Sequence, residues 1–242
     1  MSFNLEQPRA IITGASSGIG AATALAFAKA GIALALVSRS PAKLAKIVQE
    51  AQDIGVEAKA YSLDLAEITT VKTKMSAIAQ DFQPIDILVN NAGMGYTKPL
   101  ADTPLEDWQQ VLNLNLTSVF QSTLAVLPLM RARSQGIIIN VASVAAHAYF
   151  PDWGAYSVSK AGLVSFSKIL AAEEKAQGIR VMTISPGAVN TPIWDTKTVQ
   201  ADFNRSLMLT PEVVAQAILQ AATLPLGAVI DEITLMPSAG AL

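Results

Sequence analysis

TGASSGIG, residues 13–20, closes the short apolar run RAIIT at residues 9–13 and admits two readings. Taken as Gly14-Ala15-Ser16-Ser17-Gly18 it is G-x-S-x-G, the elbow that presents a nucleophilic serine. Taken as a glycine-rich turn from strand to helix, it is a cradle for the phosphates of a nucleotide. Both readings need a strand before the turn and a helix after it. The rest of the chain has to choose.

Working outward, residues 19–30 are Ala-rich and helical, and Gly31 stops them. A second apolar run spans 33–37, after which Ser40 as N-cap and Pro41 at the first helical position open a helix to about residue 53. Further strands are expected at 56–62, 85–89, 136–141, 179–185 and 229–235, and further helices at 67–81, 156–176 and 211–223. A helical pattern over 104–133 carries expected breaks near Asn113 and at Pro128. Apolar strands alternating with helices predict an α/β fold. It is a Rossmann-type doubly wound parallel sheet with helices on both faces, a single domain over residues 1–242. Ligands of such sheets bind beyond the carboxyl ends of the strands. There the pattern places residues 14–20, Ser38, Arg39, Asp64, residues 90–93, Ser143 and the run from Pro186 onward.

Composition removes several function classes. Half the chain (51%) is hydrophobic against 15% charged residues, which requires an extensive core. No run approaches the roughly 18 apolar residues of a membrane span. MSFNLEQPRA at the start lacks a basic segment leading into an apolar one, so a cytoplasmic location is expected, with no membrane partner. A net charge of −2 without a long basic run gives no footprint for nucleic acid. With no Cys and His147 alone among histidines, thiolate chemistry and a His/Cys metal site are excluded, and no metal is expected. The same scarcity starves a serine hydrolase, for which His147 is the sole base. The elbow of such enzymes also follows several strands, whereas Ser16 follows the first. The phosphate reading stands: Gly14, Gly18 and Gly20 permit a tight turn, close backbone approach and close helix packing. Amides at the helix start, around Ser16, Ser17 and Ile19, face the anion with the dipole behind them.

The ensemble of TGASSGIG, NNAG at 90–93, Asn115 in NLNLTS, Ser143, YSVSK at 156–160 and Pro186-Gly187 resembles the short-chain dehydrogenase/reductase family in its short single-domain branch. The resemblance runs over essentially the whole chain in the family's order. Tyr156 and Lys160 lie one helical turn apart on one face. An ammonium there favours phenolate, so Lys160 is expected to lower the Tyr156 pKa from its ordinary value near ~10. Tyr156 then passes a proton to a carbonyl oxygen, or takes one from an alcohol, while Ser143 hydrogen-bonds that oxygen. The resemblance implies that Lys160 also holds a nicotinamide ribose and that Asn115 anchors a water in the proton relay.

For the cofactor, the tip of the second strand reads Val37-Ser38-Arg39 with no acid, and an Arg there suits a ribose 2′-phosphate. NADP(H) is expected over NAD(H). By resemblance, Asp64 and Leu65 sit beside the adenine, although Asp64 also suits a helix cap; Asn91, Ala92 and Gly93 line the cofactor. By the same resemblance Pro186, Gly187, Val189 and Thr191 meet the nicotinamide, with a plain turn at Pro186-Gly187 as the competing reading. A pocket walled by Tyr96, Phe150, Trp153 and Trp194, with Ser143 at its floor, suits an apolar or aromatic small-molecule carbonyl or alcohol substrate. His147 is expected at the rim or in packing. Two alternatives stay open. One is a 3-oxoacyl-acyl-carrier-protein reductase, in which Arg131 and Arg133 meet an acidic carrier protein. Against it, the ending VIDEITLMPSAGAL lacks a glycine-rich tail, and Lys175 stands where those reductases often place Arg. The other is a non-catalytic NADP(H)-sensing protein. The family is commonly tetrameric, so a homotetramer or homodimer is expected, pairing helices over 113–133 and 156–176.

Overall fold

A computed structural model describes residues 7–201 and 203–240. Seven parallel strands form one sheet in the order β3-β2-β1-β4-β5-β6-β7. They are β1 (Arg9–Thr13), β2 (Ala33–Ser38), β3 (Ala58–Ser62), β4 (Ile87–Asn90), β5 (Gly136–Val141), β6 (Ile179–Pro186) and β7 (Glu232–Leu235). Between them run α1 (Gly18–Lys29), α2 (Pro41–Ile54), α3 (Ile68–Asp81), α4 (Leu105–Leu112), α5 (Ser118–Ala132), α6 (Gly154–Glu174) and α7 (Pro211–Ala222).

Successive strand residues face opposite sides of the sheet, and both sides are covered. Ala10, Ile12, Leu34 and Leu36 pack with Phe27 of α1, Leu44 of α2 and Ile218 of α7. Ile11, Ala35, Val37 and Ile138 pack with Met75 of α3, Val126 of α5 and Leu170 of α6. This double burial explains why the strands read as unbroken apolar runs. Strand order reverses between β1, which pairs β2 on one side, and β4 on the other. The carboxyl ends of those strands therefore open a crevice where TGASSGIG and NNAG meet.

Several boundaries shift for physical reasons. β3 starts at Ala58 because Val56 still serves the end of α2, its amide bonding Ala51 O behind the left-handed Gly55. β7 starts at Glu232 because residues 224–228 are gathered by Arg180, which donates to the carbonyls of Leu224, Pro225 and Ala228. The break expected at Pro128 does not occur: α5 runs through it, held by buried Ala125, Val126, Leu127 and Met130. A proline removes one helical bond, and packing on both sides outweighs it here. Near Asn113 the chain stays helical but widens to a π-helix over Asn113–Thr117. Ser40 makes no side-chain cap on α2; its amide donates to Ser38 Oγ at 3.2 Å instead.

After β6 the chain leaves the sheet at Gly187, whose amide donates to Leu235 O at 2.7 Å. It returns beside itself at Leu209, which forms a parallel bridge with Val189.

Candidate active site

The turn after β1 is shaped by what cannot be there. Gly14 has φ +66°, and a Cβ on it would stand 2.8 Å from Ala92 Cα. A Cβ on Gly20 would stand 2.3 Å from Gly14 O, so α1 can start this close to β1 only with hydrogen in that place. Ser17, extended and exposed, precedes α1 and makes no side-chain cap, and the first turn carries no acid. The amides of Gly18, Ile19 and Gly20 thus open a helix whose positive end has no anionic side chain of its own in the first turn. A dinucleotide pyrophosphate fits this donor set.

The turn is clasped from β4. Asn91 Nδ2 donates to Thr13 O at 3.0 Å and Gly14 O at 3.3 Å. Thr13 Oγ1 accepts the amides of Asn91 at 3.0 Å and Ala92 at 3.1 Å. Asn91 therefore builds the cradle with its side chain. Ser38 is buried at the end of β2, and Arg39 beside it is exposed, with no hydrogen-bond or ion-pair partner among the described residues. Asp64 Oδ1 accepts the amide of Ala66 at 2.9 Å, so it closes a turn ahead of α3 and does not cap the helix; Leu65 is buried.

Beyond β5, Ser143 Oγ accepts the amide of Ala145 at 3.1 Å, which leaves its hydrogen free to donate. Tyr156 and Lys160 lie on the first turns of α6 as spaced. Burial pushes the Tyr156 phenol above the ordinary tyrosine range, and the Ser143 hydroxyl pulls it partly back. This reverses the expected lowering by Lys160. The ammonium stands 5.8 Å from the Tyr156 ring centre and donates to Val141 O at 2.8 Å. Burial also brings the Lys160 amine down to about 8. Desolvation disfavours the charged form of both groups and outweighs their attraction at this separation.

Asn115, wholly buried in the π-helix, has its side chain committed to protein. Its Oδ1 accepts Met94 N at 2.8 Å, and its Nδ2 donates to Met94 O at 2.9 Å and Ser159 Oγ at 3.0 Å. It ties the loop after Gly93 to the helix of Tyr156. π-helical turns recur at such sites because they re-aim one side chain.

Tyr96 is a correction. It is 5% exposed, packed with Val111 and Ala155, and its hydroxyl donates to Asp107 at 2.8 Å. Its carboxylate partner draws it between α4 and α6, away from a pocket wall. The other aromatics form a chain from the tyrosine. Trp153 meets Tyr156 edge-on at 5.3 Å, Trp194 meets Trp153 at 5.7 Å, and Phe203 meets Trp194 at 5.3 Å. Phe203 is absent from the sequence expectations because nothing local marks it. Phe150 is half-buried and takes no part, although its carbonyl accepts Trp153 N. Trp194 Nε1 donates to Val189 O at 2.7 Å. Pro186 ends β6, Gly187 bonds β7, and the Thr191 methyl lies 3.1 Å from where a Cβ on Gly18 would sit. The run expected at the nicotinamide is thereby brought against the glycine turn.

A buried polar chain behind the site was missed. Asn90 Nδ2 donates to Asn140 Oδ1 at 2.9 Å, Asn140 Nδ2 to Ser167 Oγ at 2.8 Å, and Ser167 Oγ to Leu163 O at 2.7 Å. Its signal was an Asn inside each of two apolar strands, which the parallel register sets side by side. Arg131 and Arg133, expected to meet a carrier protein, are engaged internally with Glu174 and Asp86. Both carboxylates are buried and take the guanidinium groups as their partners.

A model of the family described as short chain dehydrogenase matches residues 8–202. An uncharacterized oxidoreductase from Staphylococcus epidermidis is 32% identical over 228 residues, covering 94% of this chain and 96% of that protein. A 3-oxoacyl-acyl-carrier-protein reductase from Thermotoga maritima is 35% identical over 223 residues, covering 90% and 91%. Among solved structures, an alcohol dehydrogenase from the archaeon Thermococcus sibiricus complexed with 5-hydroxy-NADP superposes with a TM-score of 0.88 at 29% identity, covering 96% of this chain and 97% of that one.

Proposed function

The chain belongs to the short-chain dehydrogenase family, and from that premise we propose that it is an NADPH-dependent reductase of apolar or aromatic ketones and aldehydes, reversible to the alcohol. Bound NADPH supplies the hydride. Tyr156 gives its proton to the carbonyl oxygen, and Ser143 donates a hydrogen bond to the same oxygen. Lys160, anchored on Val141 O, holds the cofactor ribose, while Asn115 and Asn91 position the loop and the turn. The observation that carries this reading is Tyr156, half-buried beside the Ser143 hydroxyl and held as a phenol by desolvation. A phenol at neutral pH is a proton donor, which is what reduction needs. Arg39, unpartnered among the described residues at the tip of β2, supports NADP(H) over NAD(H). A single domain holding both sites, a cytoplasmic location and a homotetramer (or a homodimer) belong to the same proposal.

A second reading, reduction of a 3-oxoacyl thioester on an acyl carrier protein, is favoured by the Thermotoga relative. The internal pairing of Arg131 and Arg133 weighs against it. Following NADPH oxidation with ketones, aldehydes and 3-oxoacyl esters separates the two. In the same assay Tyr156→Phe lowers kcat by about 10²-fold or more. Arg39→Ala weakens NADPH about tenfold, the loss of one charge-assisted contact, and leaves NADH within about twofold. Equal weakening of both cofactors would remove Arg39 from the phosphate site.

A further inference from the structure

We propose that His147 and Glu232 are positioning residues that fix the loop joining Ser143 to Trp153, and so set how the substrate carbonyl is presented to Tyr156. The proposal rests on the placement of Ser143 and Tyr156 in the reacting site.

That loop, residues 144–153, has a catalytic group or its aromatic neighbour at each end. Its internal bonds are local: Ala146 N to Ser143 O, His147 N and Ala148 N to Val144 O, and Trp153 N to Phe150 O. At its far end the amide of Lys98 donates to Asp152 O at 2.7 Å. In between, Tyr149 is 92% exposed, while Ala145 is buried and Ala146 packs against the cluster of Val119, Leu163 and Val164. Among the described residues, and apart from the Ser143 Oγ bond to Ala145 N at its start, one side-chain hydrogen bond carries residues 144–152 to the body of the protein. It is His147 Nε2 to Glu232 Oε1 at 2.6 Å.

Glu232 opens the edge strand β7 and gathers donors from three elements. Ser185 Oγ of β6 donates at 2.9 Å, Lys168 Nζ of α6 stands at 3.4 Å, and His147 reaches in from the loop. Burial alone would raise the Glu232 carboxyl, but Ser185, His147 and Lys168 together hold it below the ordinary range. A carboxylate pinned to the sheet by a serine and steadied by an ammonium is a fixed post, and the sole histidine hangs the loop from it. Other titratable side chains do not touch this carboxylate among the described residues.

The test compares wild type with His147→Ala, His147→Gln, Glu232→Ala and the His147→Ala/Glu232→Ala double variant. Ketone KM is expected to rise five- to twentyfold in His147→Ala and Glu232→Ala, with NADPH KM and kcat within twofold. The double variant is expected to match the worse single one, since both remove the same link. His147→Gln, whose amide still donates, recovers most of the loss. Independently of turnover, amide hydrogen exchange over residues 145–148 is expected to accelerate in His147→Ala and not over residues 94–98. Unchanged exchange there overturns the proposal, as does a KM within twofold of wild type or additive losses in the double variant. Full activity in Tyr156→Phe would instead overturn the reaction assigned above and leave the exchange result standing.

Discussion

At the scale of single residues, desolvation governs the site more than charge attraction. Lys160 is 5% exposed, and its amine falls to about 8, while Tyr156 rises. Between pH 8 and 10 the unfolded chain keeps the lysine proton that the folded chain has shed. The unfolded state binds more protons, so stability rises with pH across that window, by on the order of 2 kcal/mol. Above pH 10 the sign reverses, because folded Tyr156 retains a proton that unfolded tyrosine loses. Urea midpoints at pH 8 and 10 should show the rise in wild type and lose it in Lys160→Met. For turnover, alcohol oxidation needs the phenolate and should keep accelerating up to pH 10, whereas carbonyl reduction should not. A pH–rate profile in both directions reads this. The i, i+4 spacing of Tyr156 and Lys160 was legible in the sequence. The desolvation of the two groups was not, and with it the sign of the Tyr156 shift stayed hidden.

At the scale of elements, the cradle is one strand–turn–helix unit closed by its neighbour. Glycines at 14, 18 and 20 announce the turn, and regular apolar periods announce β1 and α1. The clasp from Asn91 is long-range, linking residues about eighty positions apart, and no local pattern carries it. Asn91→Ala should therefore raise the NADPH dissociation constant about tenfold, the worth of its bonds to Thr13 O and Gly14 O. Cofactor fluorescence titration measures this, and a shift under twofold would make Asn91 a bystander. The same distinction explains the other departures. Pro128 looked like a stop because propensity is local, while the packing that carries α5 through it is tertiary. Tyr96 looked like pocket because it follows NNAG, but Asp107, eleven residues on, takes its hydroxyl. Alternation of apolar strands and helices announced the doubly wound parallel sheet, while the order of its strands became visible only in the structure.

At the scale of the molecule, the outer faces of α5 and α6 remain apolar. Phe120 and Phe166 meet edge-on at 6.1 Å, and Phe120, Val158 and Ile169 are exposed. Unpaired surface of this kind is expected to be covered by a second copy, giving a closed assembly. Light scattering coupled to gel filtration should report a tetramer, and Phe120→Glu with Ile169→Glu should halve it or reduce it to monomer. Wild type eluting as a monomer at micromolar concentration would refute this. Beyond the sheet, the chain that leaves it at Gly187 makes an excursion from Val189 and returns beside itself at Leu209. Its entry and exit are stitched to each other by Asn190 N to Leu209 O at 2.8 Å and Leu209 N to Ala188 O at 2.9 Å. The intervening stretch thus hangs on a closed clip of main-chain bonds. Exchanging its middle, residues 195–207, for a foreign segment of similar length should alter which molecules are accepted while the sheet beneath keeps its melting behaviour, as substrate panels and thermal melts of the chimaera would show.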